Sequence, residues 1–337
     1  MLRYGTVVLL FCVVFPGMIG YARERDSGRY LMATANTAGT YYPVGVALAT
    51  LTKVKLEPEH SLSLNAISSA GSAENLELLR DDSVQFAILQ GLYGYWAWNG
   101  IGPFRLAEPR RDVRSITMLW HNVEHFVVKS DYLVNGTMDD LEGLKRKRFS
   151  LGARDSGSAG SGYYLLQELG FVPEDDFELQ YLDYGASTEA IRSGEIEAMN
   201  IPGGPPVEAV SRAIGALGKD VTVLEFSDEQ LERANRKYKL WSRYIIEPYT
   251  YPGQDEAVRT IAQPNFLAVR SDVPDVDVYR IVKAMYANLE FLHAIHPITR
   301  AMKIEAAING LPVPLHPGAA RFYREQGVDI PDELIAR

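Results

Sequence analysis

The chain has 337 residues, of which 47% are hydrophobic and 23% are charged, and this composition is typical of a folded protein rather than a disordered one. Its length predicts two compact lobes. Its 43 acidic and 34 basic residues give a formal net charge of −9. Because nucleic-acid binding depends on clustered Lys and Arg, and this acidic chain has no long basic stripe, we expect no nucleic-acid partner.

Residues 1–22 have the pattern of a secretory signal peptide. Arg3 supplies the positive start, Thr6 to Phe15 is apolar, and small residues surround a cleavage site after Ala22. The apolar run is shorter than the ~20 residues that a membrane-spanning helix needs, so a cleaved signal is favoured over an anchor. The one cysteine, Cys12, lies inside this segment, which excludes a disulfide or a thiolate site in the mature chain. We expect a periplasmic protein.

Strands and helices alternate in the first part of the mature chain. We predict strands at 30–34, 61–67 and 84–89, a helix starting near Pro43, and a helix from Ser72 to about Arg80 with Ser72 as its N-cap. Residues 84–98 are interpreted as a strand followed by a loop. This alternation is typical of an α/β fold whose mainly parallel sheet has helices on both faces.

The same units recur in the second part, with strands at 126–128, 148–151, 177–181 and 197–201 and a helix that stops at Gly170. Residues 266–272 repeat the pattern of residues 126–131, which predicts a pair of hinge strands. We therefore predict lobe I at 28–125 plus 277–337, and lobe II at 126–276.

Three runs of small and hydroxyl residues lie where a strand gives way to a helix, at residues 36–40, 68–72 and 155–158. The first amides of a helix have no acceptor within it, and a helix N-terminus carries roughly half a positive charge. In α/β folds, ligands bind beyond the carboxyl ends of the strands, where these runs lie. We expect the three helix starts to converge on one small anion. The alternative is ordinary N-capping, worth roughly 1 kcal/mol per helix.

Other residues of these loops are candidates for the same site. Gln90 ends a strand and is either a ligand donor or part of the loop framework, and Tyr41 either covers the ligand or packs in the core. Arg154 suits bidentate binding of a carboxylate, or faces solvent. The turn at residues 202–206 is a fourth wall. The predicted ligand-binding residues are Thr40, Tyr41, Ser69, Ser72, Gln90, Arg154, Ser156, Ser158 and Gly204.

The sequence gives little support to an enzyme. Gly152 to Ser158 has the spacing of a phosphate loop but lacks its lysine, and no nucleophile elbow surrounds the serines. His121 and His125 are four residues apart, but no third metal ligand is evident. We predict no catalytic residue, no metal and no cofactor.

Several motifs resemble those of the TAXI group, the solute receptors of tripartite ATP-independent periplasmic (TRAP) transporters. The run from Gly39 to Gly45 is similar to the G-T-Y-Y-P-x-G signature, and the run from Pro314 to Glu325 is similar to the terminal P-L-H-P-G-A-x-R-[FY]-Y-x-E motif. The G-S-x-x-N helix start, a Gln at the strand end and the serine-glycine loop match at Gly71–Asn75, Gln90 and 155–158.

The resemblance implies a two-lobed periplasmic binding protein of the type II-like class. Such a protein closes on a small carboxylate, such as a glutamate-like amino acid, a keto acid or a dicarboxylate, and delivers it to a permease driven by an ion gradient. We separately expect a monomer. A sensory module for a signalling kinase is an alternative with the same cleft, and an enzyme acting on a small carboxylate is another.

The chain also departs from the TAXI pattern in two places. Gly91-Leu92 stands where many relatives have Ser-Asp, and Asp155 stands where a glycine is usual. If the missing aspartate pairs with a ligand amine in relatives, a ligand without an amine is favoured here, unless Asp155 replaces that charge. The sequence leaves both open.

Overall fold

The computed structural model describes residues 28–336. The predicted signal peptide lies outside the described residues. Among the helices of residues 28–336, none has both the length and the apolar composition needed to cross a membrane.

The strands of the described chain form two sheets. In chain order they are β1 (Arg29–Ala33), β2 (Ser63–Ile67), β3 (Phe86–Gln90), β4 (Val113–Val123), β5 (Phe126–Lys129), β6 (Arg148–Ser150), β7 (Glu178–Gln180), β8 (Ala198–Asn200), β9 (Val221–Val223), β10 (Ser242–Ile246) and β11 (Val258–Arg270).

Helices connect and cover these strands. They are α1 (Tyr41–Lys55), α2 (Glu57–His60), α3 (Ser72–Arg80), α4 (Gly91–Asn99), α5 (Gly157–Leu169), α6 (Pro173–Asp176), α7 (Tyr184–Ser193), α8 (Glu208–Leu217), α9 (Asp228–Ala234), α10 (Asp275–Ala287), α11 (Leu289–Ile295) and α12 (Pro317–Glu325).

The first sheet has the order β10-β11-β3-β1-β2, with β4 paired to β11. Strand β1 is parallel to β2 and β3, whereas β11 is antiparallel to β3, β4 and β10. The parallel strands follow from their helical crossovers α1 and α3. The long strand β11 adds the antiparallel half, so this sheet is mixed.

The second sheet has the order β7-β6-β8-β5-β9. Strand β6 is parallel to β7 and β8, and β5 is antiparallel to β8 and β9. Its core includes the fully buried rings of Phe126, Phe149 and Phe226, which meet edge to face. The predicted α/β class is confirmed, but the prediction of mainly parallel sheets was wrong, because β11 and β5 add antiparallel pairs and make both sheets mixed.

The chain crosses between the sheets twice. The first crossing is the dipeptide Glu124-His125 between β4 and β5, and the second follows β9 and leads to β10. The two segments predicted as hinge strands belong to different sheets, because residues 126–129 form β5 and residues 266–270 lie in β11. The lobe boundaries 28–125 plus 277–337 and 126–276 stay a prediction. The hydrogen bonds place β10 and β11, within 126–276, in the sheet of β1 to β4.

The strands predicted between residues 30 and 201 and the helix predicted at 72–80 agree with the structure to within two residues, whereas β11 starts eight residues before the predicted 266. Helix α1 buries Val44, Leu48 and Leu51 on one face, and α5 ends at Gly170 in the left-handed conformation. Two predictions were wrong. Residues 91–99 form helix α4 rather than a loop, and the N-cap of α3 is Gly71, not Ser72.

Candidate functional site

A cavity lies at the carboxyl ends of six parallel strands, three from each sheet. Loops that follow β1, β2 and β3 form one wall, and loops that follow β6, β7 and β8 form the other. The space inside it that admits the centre of a water molecule is about 40 Å³, so the two walls lie close together. This is the place where α/β folds bind ligands, because helix N-termini and strand ends meet there.

The first wall carries hydroxyl and amide side chains. Thr40 and Tyr41 come from the start of α1, Ser72 from the start of α3, Gln90 from the end of β3, and Asn122 from β4. All five are less than one-tenth exposed. The Ser72 hydroxyl accepts a hydrogen bond from the main-chain N–H of Gln90 at 3.0 Å, which fixes the start of α3 against the end of β3.

The second wall is built around the starts of α5 and α7. Ser156 caps α5, accepting the Ala159 amide at 3.1 Å, and its Oγ lies 2.9 Å from the Ser158 Oγ. Asp183 caps α7 in the same way, and Tyr184 follows it into the cavity wall. Ser156 thus has the N-cap role that the sequence allowed, and it also lines the cavity.

The two walls touch each other around the cavity. The Gly204 amide donates to Thr40 Oγ1 at 3.2 Å, and the Glu74 amide donates to the Asp155 carbonyl at 3.1 Å. These two hydrogen bonds join the two walls directly.

Two glycines permit this close approach. Gly71 has φ +128°, a conformation that side chains disfavour, and a Cβ there would lie 3.4 Å from the Gly157 nitrogen. A Cβ on Gly157 would lie 2.7 Å from Gln90 Cδ and 2.9 Å from Ser72 Oγ. The starts of α3 and α5 therefore face each other with backbone rather than side chains.

Main-chain amides at these helix starts are left for a ligand. A helix start leaves its first amides without an acceptor inside the helix. Among the described residues, no protein acceptor pairs with the amides of Ser72, Ala73, Gly157, Ser158, Tyr184 and Gly185. The next amide of each helix is already used, by Asp155 in α3 and by the capping side chains in α5 and α7. Of these six residues, Ser72, Gly157, Ser158 and Tyr184 line the cavity, whereas Ala73 and Gly185 do not.

A chain of side-chain hydrogen bonds positions Asn122 at the cavity. The Tyr41 hydroxyl donates to Asn265 Oδ1 at 2.5 Å, and Asn265 Nδ2 donates to Asn122 Oδ1 at 3.2 Å. Burial raises the pKa of Tyr41 well above 10.0, so its phenol stays protonated and donates. Tyr41 therefore lines the cavity while its hydroxyl acts on Asn122.

Two buried amides of the first wall lack partners. Asn122 Nδ2 and Gln90 Oε1 have no hydrogen-bond partner among residues 28–336, although Asn122 is 1% and Gln90 3% exposed. A buried polar group without a partner costs about 1–3 kcal/mol. Both line the cavity, so a ligand there would satisfy them.

Six of the nine predicted ligand-binding residues meet at this cavity, namely Thr40, Tyr41, Ser72, Gln90, Ser156 and Ser158. Their role in binding stays a prediction.

The other three lie outside the cavity wall for identifiable reasons. The Ser69 hydroxyl is 2.6 Å from Asn75 Oδ1 and 3.1 Å from the Thr34 carbonyl, where it holds the β1 and α3 ends together. Arg154 is exposed and stacks 4.1 Å from the Tyr181 ring centroid. Gly204 is buried behind Gly203 and contacts Thr40.

Three cavity residues with polar side chains, Asn122, Asp183 and Tyr184, were not predicted from the sequence, whereas Asn36 belongs to the predicted run at 36–40. Asp183 had a usable signal, because an aspartate before Tyr184-Gly185-Ala186 is a capping pattern of the same kind as the three that were found. Asn122 had none, since it lies inside the long strand β4.

The first crossing between the sheets holds two buried titratable groups. Burial raises the pKa of Glu124 to about 8, and the nearby Trp241 and Gln263 side chains only partly oppose this. Burial lowers the pKa of His125 to about 4. Its neutral ring donates from Nδ1 to the Val123 carbonyl at 2.9 Å and accepts the Tyr251 hydroxyl at Nε2.

The histidine pair does not form a metal site in this structure. Both ring nitrogens of His125 are used by protein groups, and His121 instead packs against the Tyr244 ring. Within residues 28–336 no cluster of three or more His, Cys, Asp or Glu side chains suits a metal ion.

Solved structures share this fold at low sequence identity. Malate-bound MatC from Rhodopseudomonas palustris has a TM-score of 0.53 and 11% identity, covering 88% of this chain and 97% of that one. A binding protein component of an ABC phosphonate transporter from Pseudomonas aeruginosa has a TM-score of 0.50 and 10% identity, covering 80% and 78%. The periplasmic aliphatic sulphonate binding protein SsuA from Escherichia coli has a TM-score of 0.46 and 14% identity, covering 89% and 79%.

The chain therefore has the mixed α/β two-sheet fold of periplasmic binding proteins. A sequence profile of the NMT1-like family matches residues 32–327, which is most of the chain. The chain belongs to the NMT1-like family.

Proposed function

We propose that this protein is a periplasmic solute receptor of a TRAP transporter, of the TAXI type. It captures a small carboxylate between its two halves and delivers it to a permease driven by an ion gradient. The observation that carries the proposal is the convergence of unpaired helix-start amides from both sheets on one buried cavity.

The chemistry of the cavity supports an anion as the solute. Helix N-termini favour negative charge, and the starts of α1, α3, α5 and α7 all border the cavity. MatC was solved with malate, and the Pseudomonas aeruginosa protein belongs to a phosphonate transporter. We extend the binding of small anions from those proteins to this one.

Capture proceeds by closure of the two halves. Only the closed form brings the donors of α3 and α5 to the same solute, so the solute stabilises that form. A differential binding energy of about 5.5 kcal/mol moves a two-state equilibrium from one form almost wholly to the other. Charge-assisted hydrogen bonds from both walls supply energy of this size.

The test is calorimetry on the mature protein with a panel of carboxylates, sulfonates, phosphonates and neutral sugars. The double variant Ser72→Ala plus Ser156→Ala should weaken carboxylate binding by about tenfold or more, or 1.4 kcal/mol. Ser193→Ala plus Ser211→Ala is the matched control, because both serines lie in helices outside the cavity. Binding of only non-carboxylates by the wild type would contradict the proposal, as would unchanged affinity of the cavity variant.

A further inference from the structure

The part of the chain that the structure describes contributes no cationic side chain to the cavity. Among its described lining residues there is no Lys, Arg or His. Asp183 is the one acidic side chain of the lining, and it is exposed at the cavity edge. Arg154 follows the lining residue Ala153 in the sequence, but its guanidinium stacks on the Tyr181 ring and does not line the cavity. Positive potential inside the cavity therefore comes from the main chain.

Main-chain dipoles suit one carboxylate better than two. A helix N-terminus carries roughly half a positive charge, and its effect falls off within the first turn. A second carboxylate would be buried without a counter-ion, which costs several kcal/mol. The Asp183 carboxylate would add repulsion to a second negative charge.

The unpaired side-chain amide atoms of Asn122 and Gln90 indicate which polar groups the rest of the ligand carries. The free Nδ2 of Asn122 needs an acceptor, and the free Oε1 of Gln90 needs a donor. Both side chains are at least nine-tenths buried and line the cavity, so solvent does not satisfy them. A hydroxyl or a carboxamide provides both a donor and an acceptor, whereas a carboxylate provides acceptors only.

We infer that the cavity selects a small monocarboxylate whose second polar group is an uncharged hydroxyl or carboxamide, and that it discriminates against the dicarboxylate of the same size. The inference rests on the proposed function and narrows it. Asn122 and Gln90 are the residues that read the uncharged group, and Tyr41 positions Asn122 through Asn265.

Isosteric pairs test this directly, because a carboxamide and a carboxylate have the same size. Calorimetry on the wild type compares malate with its monoamide, aspartate with asparagine, and glutamate with glutamine, beside lactate, glycolate and pyruvate. We expect every dicarboxylate to bind at least about tenfold more weakly than its monoamide, and the tightest ligand to have one carboxylate. A dicarboxylate that binds as tightly as its monoamide overturns the inference and leaves carboxylate capture intact. If no carboxylate binds, the inference and the proposed function both fail.

A variant reverses the expected preference. Gln90→Lys places a cation in the cavity and should shift the ratio of dicarboxylate to monoamide affinity upward by about tenfold or more. Tyr41→Phe removes the donor to Asn265 and keeps the ring, so it should weaken the monoamide more than the dicarboxylate. Equal losses for both members of a pair would show that Tyr41 only packs. Thermal melting of each variant shows whether it folds, and the wild-type pairs decide the inference on their own.

Discussion

Glu124 makes the stability of this protein depend on pH in a way that one substitution should remove. The residue is fully buried at the crossing from β4 to β5, and in the described part of the chain neither carboxyl oxygen has a hydrogen-bond partner. The indole of Trp241 and the amide of Gln263 are near, but their N–H groups are also unpaired. Burial without a counter-charge favours the protonated acid.

The size of the effect follows from the pKa of Glu124. Burial raises that pKa from the ordinary 4.5 to about 8. Each tenfold change in proton affinity is worth about 1.4 kcal/mol. The unfolding free energy is therefore on the order of 5 kcal/mol larger at low pH, where Glu124 is protonated in both the folded and the unfolded state, than at a pH above its folded pKa. A group whose pKa rises on folding stabilises fully below its unfolded pKa. This contribution is therefore lost progressively as the pH rises from 4.5 to about 8.

The assay is urea unfolding of the wild type and of Glu124→Gln at several pH values. The neutral amide has almost the same shape and does not titrate, so the difference in unfolding free energy isolates Glu124. It should move in favour of the variant by about 1.4 kcal/mol per pH unit between pH 5 and 8. A difference that stays constant over this range would refute the reasoning, since it would show that Glu124 has an ordinary pKa.

Three further predictions follow from the geometry. Burial lowers the pKa of His125 from 6.5 to about 4. The neutral ring therefore contributes about 3 kcal/mol to the unfolding free energy above pH 6.5, and this contribution is lost as the pH falls from 6.5 to 4. NMR of the ring should show that it stays neutral down to about pH 4. Gly157→Ala should weaken carboxylate binding about tenfold or more in calorimetry, because its Cβ would press on Gln90, and its melting temperature should be nearly unchanged. Gly215→Ala is the control and should bind normally, because the atom nearest to its Cβ would be 3.9 Å away. Ser156→Ala should lower the unfolding free energy in urea by about 1 kcal/mol through loss of the α5 cap, and a larger loss would indicate a second role.

Features set by neighbouring residues could be predicted from the sequence. The starts of α1, α3 and α5 follow from small and hydroxyl residues after an apolar strand, and these local patterns placed six side chains at one cavity. The end of α5 follows from a single glycine at position 170. Such signals act over a few residues and need no knowledge of the rest of the chain.

Features set by distant contacts could not be predicted. Asn122 depends on Asn265, which is 143 residues away, and nothing near either residue announces the pair. The position of β11 beside β3 depends on antiparallel pairing between parts of the chain that are far apart in sequence. The lobe boundaries predicted from the sequence place β11 with the residues that precede it in the chain, since no local pattern indicates this pairing. The Arg154 guanidinium stacks on the ring of Tyr181 and not in the predicted site, and charge patterns in the sequence do not reveal this contact.

The bond from the Glu74 amide to the Asp155 carbonyl involves no side-chain atoms and no solute. A hydrogen bond of this kind contributes about 1 kcal/mol, so without a solute it would raise the ratio of closed to open molecules about fivefold over a protein that lacks it. If the protein is the transport receptor proposed above, unloaded molecules in that shape compete with loaded ones for the permease. Such competition would limit how sharply uptake responds to a change in solute concentration.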